Sequence, residues 1–227
     1  MSPIFPLVGT VILKEVDVIM VQQMKRRILV MASGEGTTFQ EIYHACSHKR
    51  INGDIIALVS DRPDSGAVSR AGKMNIPVIH YRLSHISEVI EKVKKLEPDI
   101  IALAGFLKIL PEEFIHSFHG KIVNTHPSLL PCFGGKGMYG INVQYAVLKS
   151  GAKVTGCTIH VVDNDVDHGP IIAQETVPVM PSDTAESLMA RVHSVELDLY
   201  IDAISTLLNF DYEIVGNRVK FTNQSNL

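Results

Sequence analysis

The sequence predicts an α/β fold, a mostly parallel sheet with helices on both faces. Two observations lead there. Short, β-branched apolar runs recur at 28–32, 55–60, 100–104 and 122–124. Longer amphipathic stretches separate them, and strands joined by helical crossovers are parallel and covered on both sides.

Taken in order, 28–32 reads as a buried strand and 37–47 as a helix. The run 55–60 is a second strand, 67–74 is helical in character, and 77–80 is a short strand. In 87–96, Val89, Ile90, Val93 and Leu96 fall at helical spacing. The runs 100–104 and 122–124 are further strands, and 142–149 is a helix. The pattern then changes. Residues 154–162 and 171–179 read as two longer strands. The stretch Pro181-Ser182-Asp183-Thr184 supplies N-cap chemistry for a helix reaching about Leu208. The ending 211–221 is a hairpin around Gly216-Asn217. No repeat or low-complexity tract interrupts the series.

Composition narrows the function classes. At 227 residues, 46% apolar and 20% charged, the chain suits one sizeable core. A net charge of -3 gives no global basic face for nucleic acid or an anionic membrane, so any hold on a phosphate is local. The spacings of Cys46, Cys132 and Cys157 match no disulfide or metal pattern, which points to reduced thiols in the cytoplasm. Among the ten histidines, none shows His-Glu-x-x-His spacing, so no metal is expected. Residues 1–23 carry Lys14, Glu15 and Asp17 within an apolar stretch and are neither signal peptide nor membrane span. They are expected either to precede a natural start at Met24 or to be a poorly ordered extension, leaving 24–227 as a single domain.

In parallel sheets, ligands bind beyond the carboxyl ends of the strands. After the first strand comes Ser33-Gly34-Glu35-Gly36-Thr37-Thr38, then a helix. Glycines admit a ligand close to the backbone, and the helix N-terminus offers unpaired N–H groups and a positive dipole end. This suits a monophosphate. It is not a dinucleotide fingerprint, since Phe39 stands at the third glycine position, and it lacks the ending of a Walker A loop. An ordinary strand-to-helix turn would read the same way, and Glu35 opposes an anion unless it turns aside.

The run Asn124-Thr125-His126-Pro127-Ser128-Leu129-Leu130-Pro131 closes another apolar strand. Asn124 and His126 lie at i and i+2 and project to one side. An amide N–H and a protonated imidazole together stabilise the oxyanion formed when a carbonyl is attacked. A polar strand end with a structural histidine is the plainer alternative. A carboxylate beside His126 would favour the imidazolium and relay a proton. Asp163, Asp165 and Asp167 all lie on the connection between the two later strands, and spacing alone does not choose among them. Cys132, six residues after His126, raises a Cys/His nucleophile, but no third orienting group is evident.

Four stretches now fall into register: Ser33-Gly34-Glu35-Gly36-Thr37, Ala104-Gly105-Phe106-Leu107-Lys108-Ile109-Leu110, Asn124 to Pro131, and Thr155-Gly156-Cys157-Thr158-Ile159-His160 through Asp167. Together, over about 24–208, they resemble the phosphoribosylglycinamide formyltransferases, a folate-dependent formyltransferase family. The resemblance implies a Rossmann-like formyltransferase fold. It implies transfer of a formyl group from 10-formyltetrahydrofolate, a co-substrate, to the amine of glycinamide ribonucleotide in purine synthesis, with no metal. It maps the catalytic residues onto Asn124, His126 and Asp167, and the substrate phosphate loop onto Gly36, Thr37 and Thr38. Glu196 corresponds to the residue that meets the substrate amine. Leu107, Lys108, Ile109 and Leu110, with Asn124 and Arg82, correspond to folate contacts. The expected partners are these small molecules, with no nucleic acid and no membrane, in a monomer or homodimer.

The sequence also departs from the family. Glu35 and Thr38 stand where relatives often carry asparagine, and Lys108 replaces a common arginine. Residues 134–140 form a glycine-rich variant, expected to be a flap near the site. Methionyl-tRNA formyltransferases share the Asn-x-His but need a further C-terminal domain and a basic surface. Formyltetrahydrofolate deformylases carry an N-terminal regulatory domain. Sugar-nucleotide formyltransferases fit less well with a monophosphate loop. A non-catalytic binding module would have little reason to keep Asn124, His126 and Asp167.

Overall fold

The computed structural model describes residues 25–222; the expectation for 1–23 lies outside them. Nine strands form one sheet: β1 (Arg26–Met31), β2 (Gly53–Ser60), β3 (Val78–His80), β4 (Ile100–Leu103), β5 (Ile122–His126), β6 (Val154–Val161), β7 (Ile171–Pro178), β8 (Tyr212–Val215) and β9 (Arg218–Phe221). The helices are α1 (Thr37–Ser47), α2 (Gly66–Lys73), α3 (Ile86–Lys95), α4 (Glu112–Ser117), α5 (Ile141–Ser150) and α6 (Ala185–Asn209).

The strand order is β3-β2-β1-β4-β5-β6-β7-β9-β8. The first five strands are mutually parallel, as predicted. β6 and β7 then run antiparallel, and the predicted hairpin, β8 and β9, joins the edge beyond β7. β1 and β4 are buried on both faces, which is why they read as unbroken apolar runs rather than alternating ones.

The core has two sides. On one, Phe39, Ile42 and Ala67 of α1 and α2 pack with Tyr200 and Ile204 of α6. On the other, Val89 and Val93 of α3 meet Phe114 of α4 under Leu29 and Ile101. α4 was not predicted; six residues are too few for a period to show. α6 starts as expected: Thr184 accepts from Ser187 N–H and Ser187 reaches back, closing a capping box.

β1 and β4 sit at the middle of the sheet, with crossovers leaving in both directions. Their carboxyl ends, with that of β5, therefore open onto a common crevice. β5 runs through His126, so Asn124 and His126 lie within the strand and not after it.

Candidate active site

One cleft of about 780 Å³ gathers Thr38, Leu107, Lys108, Ile109, Leu110, Asn124, His126, His160, Asp167, His193 and Glu196. Its floor is the end of β5. Asn124 and His126 point to one side of that strand. Thr125 turns to the other and donates to Glu196 Oε1 at 2.8 Å. Glu196 is held in place one turn ahead of Tyr200 on α6. The buried Tyr200 hydroxyl lies 3.1 Å from the Leu103 carbonyl and 3.0 Å from that of Val123, pinning the helix to the last residue of β4 and the second of β5.

Of the three loop aspartates, Asp167 reaches His126. Its Oδ2 lies 3.4 Å from His126 Nδ1, and its Oδ1 lies 3.8 Å from His160 Nε2. The Gly135 N–H donates to Oδ2 at 2.9 Å. Asp163 instead accepts from the Asp165 N–H within its own loop. Asp167 adopts a left-handed φ of 61°, a conformation that aspartate tolerates better than most residues. Gly169, two residues on, is obligatory, since a Cβ there would stand 1.8 Å from the Val161 carbonyl oxygen. That turn, invisible in spacing, swings Asp167 back over β5.

His126 is 3% exposed and lies between acceptors on both sides. Asp167 faces Nδ1, and the Phe133 carbonyl accepts from Nε2 at 2.9 Å. His160 differs. Its Nδ1–H donates to the Val161 carbonyl at 3.0 Å, leaving Nε2 as a lone pair. Asn124 Nδ2 lies 3.3 Å from that nitrogen. One amide hydrogen of Asn124 is thus spent on His160, orienting the group, and the other is free for the cleft. Burial holds His160 below its ordinary pKa, against opposing pulls from the Val161 carbonyl and Asp167. His160 stood inside a quoted motif without a role. Only the antiparallel register, which sets Asn124 opposite His160, reveals it.

The segment 105–110 forms the apolar wall. Ser33 Oγ accepts from the Leu107 N–H at 3.0 Å, so this serine anchors the wall. The Phe106 ring meets Tyr81 edge-on at 5.2 Å, and Leu110 is buried. Leu107 and Ile109 stay 56% and 67% exposed, apolar surface available to a flat ligand. Lys108 Nζ lies 3.9 Å from Asp61 Oδ2.

Gly36 begins α1 at φ 74°, and no side chain caps the helix. The first-turn N–H groups therefore lack a side-chain acceptor, as an anion site requires. Gly36 also has a packing role: a Cβ there would sit 2.6 Å from the Ala67 Cα. Glu35 leans onto the start of α2, where its Oε2 would be 2.7 Å from a Cβ on Gly66. Of the three loop residues, only Thr38 lines the cleft itself.

Arg82 is not brought into this cleft. It lines a separate cavity of about 540 Å³ with His85, Glu88 and Lys92. The reason is alternation: Tyr81 turns inward onto Phe106, so the extended residue after it faces away. The thiols are not poised for chemistry. Burial pushes Cys46 up to about 11 and Cys157 to about 12. Cys132 is exposed, and among the described residues no hydrogen bond joins its thiol to His126. Among the described residues no group of three or more His, Cys, Asp or Glu is arranged to hold a metal ion, and no helix is long and apolar enough to cross a membrane.

An amide, an imidazole and a carboxylate thus meet in one cleft at the switch point of an α/β sheet, a set chemically able to polarise a carbonyl. The family profile described as Formyl transferase matches residues 26–204, and the chain belongs to that family. It is 38% identical over 204 residues to "Phosphoribosylglycinamide formyltransferase, chloroplastic" of Arabidopsis thaliana, an alignment covering 86% of this chain and 70% of that protein. It is 32% identical to phosphoribosylglycinamide formyltransferase of Bacillus subtilis (strain 168), over 82% of this chain and 96% of that one. Among solved structures, glycinamide ribonucleotide transformylase 1 from Symbiobacterium toebii superposes with a TM-score of 0.80 at 33% identity, covering 89% of this chain and 96% of its own.

Proposed function

We propose that this chain transfers the formyl group of 10-formyltetrahydrofolate to the amine of 5'-phosphoribosylglycinamide, yielding formylglycinamide ribonucleotide and tetrahydrofolate in de novo purine biosynthesis. One observation carries the reading. A single cleft holds an Asn124–His126–Asp167 carbonyl-activating set, a carboxylate for an amine at Glu196, and an exposed apolar wall at Leu107 and Ile109. The family match and the names of the relatives agree with it.

In this reading the ribonucleotide phosphate sits at the start of α1, on Gly36, Thr37 and Thr38. Glu196 holds the amine. The folate ring lies against the wall of residues 107–110. The amine attacks the formyl carbon, and the carbonyl pair moves to oxygen. The free Asn124 N–H and the His126 imidazolium meet that charge in a site already oriented for it. His126 first exchanges the Phe133 carbonyl for the formyl oxygen, so the 133–140 segment has to step back. Asp167 keeps the imidazolium charged and relays the proton to the leaving folate nitrogen. No covalent enzyme intermediate forms. The three free thiols fit a reducing cytoplasm.

The test mixes protein, 10-formyltetrahydrofolate and the ribonucleotide and follows folate absorbance. The reading expects a change that depends on the ribonucleotide. A change with water alone, or with another amine only, would reassign the substrate. Binding of both ligands without turnover would make the protein a binding module.

A further inference from the structure

A second histidine–carboxylate pair, on α6, lines the same cleft. His193 Nδ1 lies 3.3 Å from Glu196 Oε2, and the His193 side chain is 56% exposed. Its Nδ1–H donates to the carboxylate, so the ring's other nitrogen, Nε2, keeps its lone pair. Nε2 has no protein partner among the described residues. Glu196 is thereby tied at both oxygens, to Thr125 through Oε1 and to His193 through Oε2.

The reaction proposed above has a proton problem on this side. A primary amine next to a carbonyl is an ammonium at neutral pH, and an ammonium has no lone pair with which to attack. His126 cannot help, since both of its nitrogens already face acceptors. His160 is buried and donates through Nδ1 while receiving Asn124 at Nε2.

Resting on that reading of the site, we infer that His193 is a further catalytic residue: its Nε2 takes the proton from the substrate ammonium held at Glu196 and passes it to solvent. The balance closes. Of the ammonium's three protons, one remains on the product amide. One goes to the folate nitrogen as the carbon–nitrogen bond breaks. The third goes to His193, and its exposure lets it leave to water.

The charge environment supports a base here. The hydrogen bond it donates to Glu196 holds His193 above its ordinary pKa, with burial opposing and the Glu196 charge adding to it. The other titratable groups around the cleft are Lys136, Tyr139 and Lys108 from the two loops, the three aspartates of 163–167, His126 on β5 and His160 on β6. None of them adds to the shift on His193, so Glu196 sets it. A base near neutrality is the one best matched to an amine of pKa about 8.

The experiment measures kcat/KM for the ribonucleotide against pH in the full chain and in His193→Gln and His193→Ala. In the full chain the acid limb follows His193. In either variant it moves up to the pKa of the substrate amine, about 8. Activity at pH 7 then falls about tenfold while activity at pH 9 matches the parent. Added imidazole restores the pH 7 rate of His193→Ala. The KM for formyl folate and the melting temperature do not change, since His193 is exposed and sits on α6, an element separate from the folate wall of residues 107–110. Superimposable pH profiles, or a loss at pH 9 equal to that at pH 7 without imidazole rescue, would overturn the assignment while leaving formyl transfer intact. A parent chain that never formylates the ribonucleotide would instead overturn the underlying reading, and this inference with it.

Discussion

Replacing Asp167 by asparagine removes one charge and almost nothing else. The amide keeps the carboxylate's shape, and its oxygen still accepts from the Gly135 N–H, now at 2.9 Å. What disappears is the field on His126. At 3.4 Å, with an effective dielectric of about 20, that attraction is worth roughly 5 kcal/mol. The asparagine dipole recovers part of it, and the folded protein no longer has to bury a carboxylate, so the net loss is smaller. The His126 ring then loses the charged partner at its Nδ1, and the oxyanion meets a donor without that carboxylate behind it. Loss of one such donor costs about 10²–10³ in turnover, or roughly 3–4 kcal/mol. Asp167→Asn is therefore expected to lower kcat by about that factor at neutral pH. The ribonucleotide KM stays near the parent value, and the melting temperature moves by no more than about 4 °C, the equivalent of roughly 1 kcal/mol. Steady-state kinetics with both substrates, beside a thermal melt, reads all three. A folded Asp167→Asn protein with near-parent kcat would remove this carboxylate from the chemistry.

The other outcomes concern residues around it. His126→Ala is expected to lose at least about 10²-fold in kcat, while Cys132→Ser stays fully active; an inactive but folded serine variant would revive the thiol nucleophile. His160 has a depressed pKa in the folded state, so the unfolded chain binds its proton first as pH falls. Stability is complete above about pH 6.5 and falls below it by up to about 1.4 kcal/mol per pH unit. Melting curves between pH 7 and 5 should show this slope in the parent, and His160→Gln should lessen it; an unchanged slope would refute the neutral, buried His160. Gly36→Ala forces both a left-handed alanine and a 2.6 Å approach to the Ala67 backbone. It is expected to cost about 1–3 kcal/mol and lower the melting temperature by about 2–4 °C for each. A melt indistinguishable from the parent would deny that packing role.

Much of the fold was readable because burial on both faces writes itself as uninterrupted apolar runs. β1, β2 and β4 stood out for that reason. α3 was equally plain from its four buried residues at helical spacing. α4 was not, being six residues long. The antiparallel turn of the sheet at β6 was also hidden, because strand direction depends on pairing across distance. The site followed the same division. Asn124 and His126 declared themselves through local alternation at a strand end. The choice of Asp167 over Asp163 and Asp165 could not be made by spacing, since a left-handed turn and Gly169 aim it. His160 and Ser33 act through register and loop contacts, 36 and 74 residues from Asn124 and Leu107 respectively. Arg82, matched to a folate contact only through the resemblance, lines a separate cavity, and the alternation past Tyr81 is why.

The central claim is direct passage of one carbon between two bound ligands across Asn124, His126 and Asp167. Rapid mixing of the protein with folate carrying a ¹³C-labelled formyl group and the ribonucleotide, quenched and read by mass spectrometry, addresses it most directly. The label should move from folate to the ribonucleotide amide in one step, leaving the protein mass unchanged throughout. A formylated protein at early times, or label released as formate, would contradict it.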